Sequence, residues 1–388
     1  MKRYIGSKRS ILEPLFKEIG ENGKGSSFMD PFAGSCAVVE KANKLGYHTF
    51  SNDLNALSRE LGTAYTQAAS NLTFEKILKS PTKLTIENLA SACELLNKTP
   101  NYGTEKVFYE YYCPAGKYSE YQTNRGRTFR RNYFTPKNAK RIDSALNRVR
   151  DWWLKEKLSR IEVSLLLSVI LTNVEKVANI KGTYAMPSAN WEENAKKAIL
   201  FKPDARFAGT ENLGGIVGDR EDALTFAKKH KKPDILYLDP PYNFRIYLDY
   251  YHIPNFIAQY PFIDNIKEYA KEFCFARGQN MQDRPGGKNA SRFNKADSFH
   301  SAIFELIEVC QPKKCLISYF DGKNHFNEFD EEDNGESWEK MVTGVKNLKS
   351  YDPNTLKITE ISRTNMQSQK GRTGKLVNEY ILQIQHNA

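Results

Sequence analysis

Ser26-Ser-Phe-Met-Asp-Pro-Phe-Ala-Gly-Ser-Cys-Ala-Val-Val-Glu-Lys-Ala-Asn-Lys-Leu45 decides the fold. A short apolar run, Ser26 to Pro31, meets a turn. The stretch from Cys36 to Leu45 then has helical character, and Gly46-Tyr-His-Thr-Phe-Ser-Asn-Asp53 reads as a turn and a second strand. Leu54 to Ala69 is helical again, completing a βαβα unit. Such units build a mostly parallel sheet that collects ligands at the carboxyl ends of its strands. Gly34 sits where the first strand becomes a helix, so the backbone can approach a ligand closely beside free helix N–H groups. Nineteen residues later, Asp53 ends the next strand, at the spacing of a carboxylate that bonds ribose hydroxyls. The full GxGxxG fingerprint is absent, which argues against NAD as the ligand.

Outward from this unit the alternation fades between about Leu72 and Phe207, where amphipathic helices (Ala139 to Lys157, Val163 to Val177) alternate with polar loops. It returns with a strand at Gly215-Ile-Val-Gly-Asp219, a helix over Ala223 to His230 and a buried strand at Ile235-Leu-Tyr-Leu-Asp239. Further strands are expected at Lys314 to Tyr319 and Glu379 to Ile384. The fold class is therefore α/β. Residues 1–70 and 215–388 are expected to form the sheet domain and residues 71–214 an inserted, mainly helical one. The acidic stretch Phe329 to Glu336 reads as an exposed loop, with extra acidic material spanning 328–340.

The 388 residues carry 57 Lys+Arg against 46 Asp+Glu, a formal charge of +11, and 40% are hydrophobic. There is core material enough to exclude a disordered or fibrous chain. The positive excess is concentrated: between Tyr121 and Arg141 stand Arg125, Arg127, Arg130, Arg131, Lys137, Lys140 and Arg141 with no acidic residue, interleaved with Phe129, Tyr133 and Phe134. Cations beside aromatic rings form a nucleic-acid contact signature, with a merely solvated basic face as the alternative. Arg277, Arg284 and Arg292 are weaker candidates of the same kind. No signal-peptide core and no span long enough for a bilayer are visible, so a cytoplasmic address is expected. The cysteines Cys36, Cys93, Cys113, Cys274, Cys310 and Cys315 show neither CxxC nor zinc spacing, so reduced thiols and no metal are expected. His252 and His325 read as structural or exposed rather than catalytic, and the Trp152-Trp153 pair as packing.

Asp239-Pro240-Pro241-Tyr242 carries the most specific chemistry. By average residue usage the tetrapeptide arises by chance on the order of 10⁻³ times in such a chain. Two prolines fix the backbone so that the Asp239 carboxylate and the Pro240 carbonyl can point at one spot, with the Tyr242 π-face beside it. Two acceptors suit an exocyclic amino group: they take its two N–H bonds, localise its lone pair and aim it at an electrophile.

These residues resemble the D12 class of S-adenosylmethionine-dependent DNA adenine-N6 methyltransferases, the class with Dam-like and many restriction-modification enzymes. The likeness begins at Tyr4-Ile-Gly-Ser-Lys8, similar to the family's aromatic-x-Gly-x-Lys motif that helps enclose the methionine end of the cofactor. It continues through Asp30-Pro-Phe32-Ala-Gly34 and Asp53, and Asp219 resembles the acid near the cofactor's adenine. Asp239 to Tyr242 is similar to the catalytic motif, and Asn243 to Tyr247 with Tyr250-Tyr-His252 to its continuation in a subset. Tyr133-Phe-Thr135 with Asn138 and Ile142-Asp143, Ala178 to Tyr184, and Ser318-Tyr319 are further family-like stretches. The chain departs at Cys36, where many members have glycine.

The resemblance implies a Rossmann-like class I methyltransferase sheet whose insertion is the target-recognition domain. It implies S-adenosyl-L-methionine as cofactor, bound by Tyr4, Lys8, Asp30, Phe32, Gly34, Asp53, Asp219 and Asp239. It also implies methylation of a flipped adenine at Asp239, Pro240, Pro241 and Tyr242. The expected partners are double-stranded DNA and, acting separately, a cognate restriction endonuclease; a monomer is expected rather than a stable oligomer. A cytosine-N4 or RNA amino-methyltransferase, and a non-catalytic DNA-binding protein of the same fold, are the alternatives.

Overall fold

The structure, a computed structural model, describes residues 3–99, 101–122, 126–241, 247–273, 291–295, 297–320, 336–364 and 376–387. Its strands in chain order are β1 (Ser27–Asp30), β2 (His48–Ser51), β3 (Glu120–Gln122), β4 (Thr128–Arg130), β5 (Ile216–Val217), β6 (Ile235–Leu238), β7 (Lys314–Phe320), β8 (Tyr351–Thr364) and β9 (Leu376–His386). Seven of them form one sheet of order β5-β2-β1-β6-β7-β9-β8, and β3 and β4 pair as a separate hairpin. The first five neighbours run parallel, while β9 is antiparallel to both β7 and β8. The α/β architecture and the mostly parallel sheet agree with the sequence.

The chain divides into two compact units, Gly6–Leu54 with Gly214–Tyr247 and Lys288–Ala388, and Met1–Ile5 with Asn55–Leu213 and Leu248–Gly287. In the first, the sheet unit, successive strand residues face opposite layers. Phe28, Ile235, Tyr237, Leu316, Ile361 and Ile381 pack with Leu15, Phe16 and Ile19 of the helix Leu12–Ile19 and with Val38 and Ala42 of the helix Ala37–Lys44. Met29, Leu236, Leu238, Cys315, Ile317, Leu382 and Ile384 face the other way, against the helices Ala223–Lys229, Phe299–Cys310 and Glu336–Lys346. Burial on both faces is why β6 reads as an unbroken apolar run.

The second, helical unit is organised around the helix Arg160–Val177. Its start is fixed by a capping box: the Ser159 side chain accepts from the Glu162 N–H, and the Glu162 side chain accepts from Ser159. This helix is not the amphipathic one expected. From Val163 to Val174 every side chain is buried. Packed on it are the helices Ala56–Thr66, Pro136–Leu154 and His252–Gln259. Its polar residues are satisfied inside: Ser164 donates to the Glu60 carboxylate at 2.8 Å, Ser168 to the Glu60 carbonyl at 3.2 Å and Thr172 to the Ser168 carbonyl at 2.9 Å. The unit takes in the helices Ala56–Thr66 and His252–Gln259.

Two further departures concern strands. The long edge strand β8 and the β3–β4 hairpin have no counterpart in the expected elements; the hairpin is polar and exposed, and β8 sets buried Tyr351 and Ile361 among polar residues, so neither shows a regular apolar alternation. Glu336 opens a helix rather than ending the acidic loop, whose residues 329–335 lie outside the described ones. No described helix is long and apolar enough to cross a membrane.

Candidate active site

The sheet order puts an aspartate at or just beyond the carboxyl end of each of four adjacent parallel strands: Asp219 after β5, Asp53 after β2, Asp30 closing β1 and Asp239 after β6. Neighbouring strands lie about 4.8 Å apart, so these residues form a row along one sheet edge. Asp219 is exposed and Asp30 is buried.

The glycine loop is laced to the end of β2. Asp30 Oδ1 accepts the Phe32 N–H at 3.0 Å, and the Ala33 N–H reaches the Asn52 carbonyl at 2.9 Å. The Gly34 N–H donates to Asp53 Oδ2 at 2.8 Å. Asp53 therefore fastens the loop beside which the spacing placed it. Gly34 has φ +50° and Cys36 has φ +55°, the region that favours glycine. The departure at Cys36 thus puts a buried side chain where the backbone suits none, and burial pushes its thiol well above the ordinary value. Phe32 sets its ring edge-on to Phe293, with centroids 4.8 Å apart. Burial, with Asp239 and Asp53 nearby, raises the Asp30 carboxyl although it accepts the Phe32 N–H.

Asp239 stands on a second constellation. Lys8 Nζ lies 2.8 Å from Asp239 Oδ1 and 3.0 Å from Glu379 Oε1, and it also donates to the Gly6 carbonyl at 3.2 Å. Arg363 Nε donates to Glu379 Oε2 at 2.7 Å, and the Ser318 hydroxyl donates to Glu379 Oε1. Strand alternation explains the convergence. Asp239, Ser318, Arg363 and Glu379 each stand two residues from Tyr237, Leu316, Ile361 and Ile381, all core residues of one face. Burial and the Glu379 charge raise Asp239 to about 6 against the pull of Lys8. Glu379 is held below the usual carboxylate range despite its burial, because Lys8, Arg363 and the Ser318 hydroxyl all stabilise its charge. Lys8, although buried, is raised by the two carboxylates.

The sequence reading missed Glu379 and Arg363. The available signal was a glutamate two residues before Ile381, on the same face of the strand. Pro240 is buried and Pro241 half-buried; Tyr242 lies outside the described residues. Tyr4 belongs to the helical unit, where its ring stacks on Tyr251 at 4.4 Å, and the Ile5 N–H donates to Tyr251 Oη at 2.7 Å. Among the described residues no group of three or more His, Cys, Asp or Glu side chains is placed to hold a metal ion.

Several family-like stretches meet in the helical unit. The Asn179 N–H donates to the Tyr133 carbonyl at 2.9 Å, Tyr133 Oη to the Tyr184 carbonyl at 2.7 Å, and the Tyr184 N–H to the Tyr250 carbonyl at 3.0 Å. Asn179 Nδ2 reaches the Asn132 and Ser188 carbonyls at 3.0 and 3.1 Å while its Oδ1 accepts the Glu192 N–H at 2.9 Å. His252 packs between the Tyr112 and Tyr133 rings. Asp143 accepts the Phe108 and Tyr109 N–H groups at 2.7 and 2.9 Å, capping the helix Val107–Tyr112.

The basic stretch separates into two populations. Arg127, Phe129 and Arg130 are exposed on the hairpin, Arg130 reaching the Pro114 carbonyl at 2.8 Å. Lys137 and Lys140 are exposed on the helix Pro136–Leu154, Lys140 lying 5.0 Å over the Tyr109 ring. Arg131, by contrast, is buried, donating to the Tyr118 carbonyl at 3.1 Å beneath the Tyr121 ring, and Tyr133 and Phe134 are core residues. Arg292 pairs with Glu305 at 2.7 Å. Arg125, Arg277 and Arg284 lie outside the described residues, as do Cys274 and His325.

Residues 4–295 match the family model described as the D12 class N6 adenine-specific DNA methyltransferase. The chain is 28% identical over 386 residues to the type II methyltransferase M.FokI of Planomicrobium okeanokoites, covering 99% of this chain and 52% of that protein. It is 29% identical over 299 residues to the type II methyltransferase M.CviAII of Paramecium bursaria Chlorella virus 1, covering 74% and 80% respectively. It is also 29% identical over 262 residues to the type II methyltransferase M.NlaIII of Neisseria lactamica, covering 66% and 69%. The chain thus spans about half the length of M.FokI. No solved structure matches it.

Proposed function

The chain belongs to the D12 class of N6 adenine-specific DNA methyltransferases, and we propose that it methylates adenine N6 in duplex DNA with S-adenosylmethionine as donor, as the modification enzyme of a restriction-modification system. The observation that carries this reading is Asp239, at the end of a buried parallel strand, with one carboxylate oxygen fixed by Lys8 at 2.8 Å. An exocyclic amine needs such an oriented acceptor. Asp239 and the Pro240 carbonyl take its two N–H bonds and localise the nitrogen lone pair. Because the base edge is inaccessible inside a duplex, the adenine must be flipped out of the stack, with Tyr242 against its face.

The acidic row fits the donor. Carboxyl groups at the ends of β5, β2, β1 and β6 disfavour a phosphate-bearing nucleotide and, as acceptors, suit a cationic nucleoside with ribose hydroxyls to bond. In this reading Lys8, Asp30, Phe32, Gly34, Asp53, Asp219 and Asp239 of the sheet unit hold it. When bound, S-adenosylmethionine supplies a methyl group on a sulfonium. The amine nitrogen gains the N–C bond as the C–S bond breaks, and one N–H proton is lost, leaving N6-methyladenine and S-adenosylhomocysteine. Asp239 holds the nitrogen in line and stabilises the positive charge that develops on it.

Residues 71–214 are, in this reading, the inserted target-recognition domain. Arg125, Arg127, Arg130, Lys137 and Lys140 contact phosphates and set register rather than sequence. Arg131 contributes through the packing of the hairpin base. The test is transfer from labelled S-adenosylmethionine to unmethylated genomic DNA, followed by nucleoside analysis and sequencing of modified sites. N6-methyladenine in one short motif is expected, and lost with Asp239→Ala. Label in N4-methylcytosine or in RNA alone, or near-wild-type turnover by Asp239→Ala, overturns the assignment.

A further inference from the structure

Glu379, Arg363 and Ser318 lie on β9, β8 and β7, beyond residue 295 where the family match ends. They nevertheless complete the constellation beneath Asp239. Lys8 directs its ammonium at three acceptors, Asp239, Glu379 and the Gly6 carbonyl. Glu379 in turn accepts from Lys8, Ser318 and Arg363. Two cations and two anions therefore balance. Side-chain exposure is 2% for Lys8, 0% for Glu379 and 12% for Arg363, against 19% for Asp239. Asp239 is thus the most solvent-accessible of the four charges, and the buried members act on it.

We infer that Glu379 is a positioning residue for methyl transfer: by sharing Lys8 it keeps the Asp239 carboxylate a strong acceptor, and Arg363 sets how much of Lys8 it takes. Were Lys8 to serve Asp239 alone, its full charge would sit on one oxygen of the carboxylate that must hold the amine. Glu379 draws part of that charge away, and Arg363 limits the draw. This inference rests on the methyl-transfer reading above.

The two substitutions move the carboxylate in opposite directions. Glu379→Gln removes a neighbouring negative charge, so Asp239 protonates at lower pH and accepts more weakly. Arg363→Gln strengthens the hold of Glu379 on Lys8, so Asp239 protonates at higher pH. Asp30 and Tyr237 also face Asp239 and are unchanged in both variants.

The experiment measures single-turnover transfer of labelled methyl from S-adenosylmethionine to unmethylated genomic DNA, with enzyme in excess, from pH 5 to 9. In Glu379→Gln the acid limb is expected to move down by about 1 pH unit and the rate at pH 8 to fall about tenfold, with the KM for S-adenosylmethionine within about threefold of wild type. In Arg363→Gln the limb moves up by about 1 unit, and Arg363→Lys returns it toward wild type. Limbs that stay in place while both rates fall would mean a packing role and overturn the inference. If Glu379→Gln does not fold, the Arg363 pair decides alone: an upward shift reversed by lysine supports the inference, and no shift overturns it. Failure of the wild type to transfer methyl would instead sink the functional reading on which this rests.

Discussion

Around Asp239 the buried polar groups are ionised and share protons: one ammonium serves two carboxylates, and a guanidinium serves one of them. Around Tyr133 and Asn179 in the helical unit the bonds are neutral, amide or hydroxyl to backbone carbonyl, and His252 has Nδ1 within 3.0 Å of the Asp249 carbonyl. A buried charge responds to every neighbouring charge, whereas an amide pinned to the backbone responds to none. The first arrangement tunes an acceptor; the second fixes loops in place.

That contrast breaks most sharply at Asp239. Asp239→Asn keeps the shape of the side chain and removes its charge, so single-turnover methyl transfer should fall about 10³-fold. Its thermal unfolding midpoint should stay near that of the wild type, because one oxygen remains for Lys8. Asn179→Ala should do the reverse. It strands the Asn132 carbonyl and the Glu192 N–H and takes away one of the two donors to the Ser188 carbonyl, whose other donor is Asn132 Nδ2, for a loss of about 3 kcal/mol in denaturant unfolding. A large loss of stability in Asp239→Asn, or a small one in Asn179→Ala, would erase the distinction.

Acid sharpens it further. Burial lowers the His252 pKa to about 4, whereas the unfolded chain binds that proton near 6.5. Between those values the unfolded state holds more protons, so stability falls as pH drops from 6.5 toward 4, by about 3 kcal/mol at most. His252→Gln should flatten that part of the unfolding profile. In the sheet unit, Asp234 accepts the Ser27 N–H and Oγ–H, each at 2.7 Å. Against burial, the Lys313 ammonium and these Ser27 bonds hold its carboxyl down to about 2. Its contribution is present above the unfolded value near 4 and is lost as pH falls toward 2, so Asp234→Asn should reduce the acid sensitivity of that lower window.

The smallest effect is expected at the DNA. Arg130→Ala removes one exposed cation and should reduce the salt slope of binding by about 1, whereas Arg131→Ala should act mainly on stability. An unchanged slope in Arg130→Ala places the hairpin off the nucleic acid.

The legible parts of the fold were those where burial writes a pattern. The strands at Phe28, Leu236 and Leu316 read as apolar runs, the one at Phe50 followed from the turn before it, and Asp30, Asp53 and Asp239 stood at strand ends. The helix at 160–177 misled because Ser164, Ser168 and Thr172 look like a polar face, and only the fold shows their hydroxyls bonded to Glu60 and to the helix's own backbone. Tyr133 and Phe134 looked like partners of the basic residues because composition does not distinguish a ring in the core from one in water. Glu379 was silent because its meaning depends on Lys8, 371 positions away.

The chain leaves the sheet after β2 and rejoins it at β5, two strands paired in register through Phe50↔Ile216 and Ser51↔Val217. Departure and return are therefore neighbours, so the long segment between them begins and ends at adjacent strands of the sheet. A second segment complicates the exchange, for the helix His252–Gln259 packs on both Ala56–Thr66 and Arg160–Val177. A change of insertion alone would leave that helix facing a foreign surface. Any change to the segment between β2 and β5 thus carries a constraint on two distant stretches of the chain, which must alter together to keep their packing.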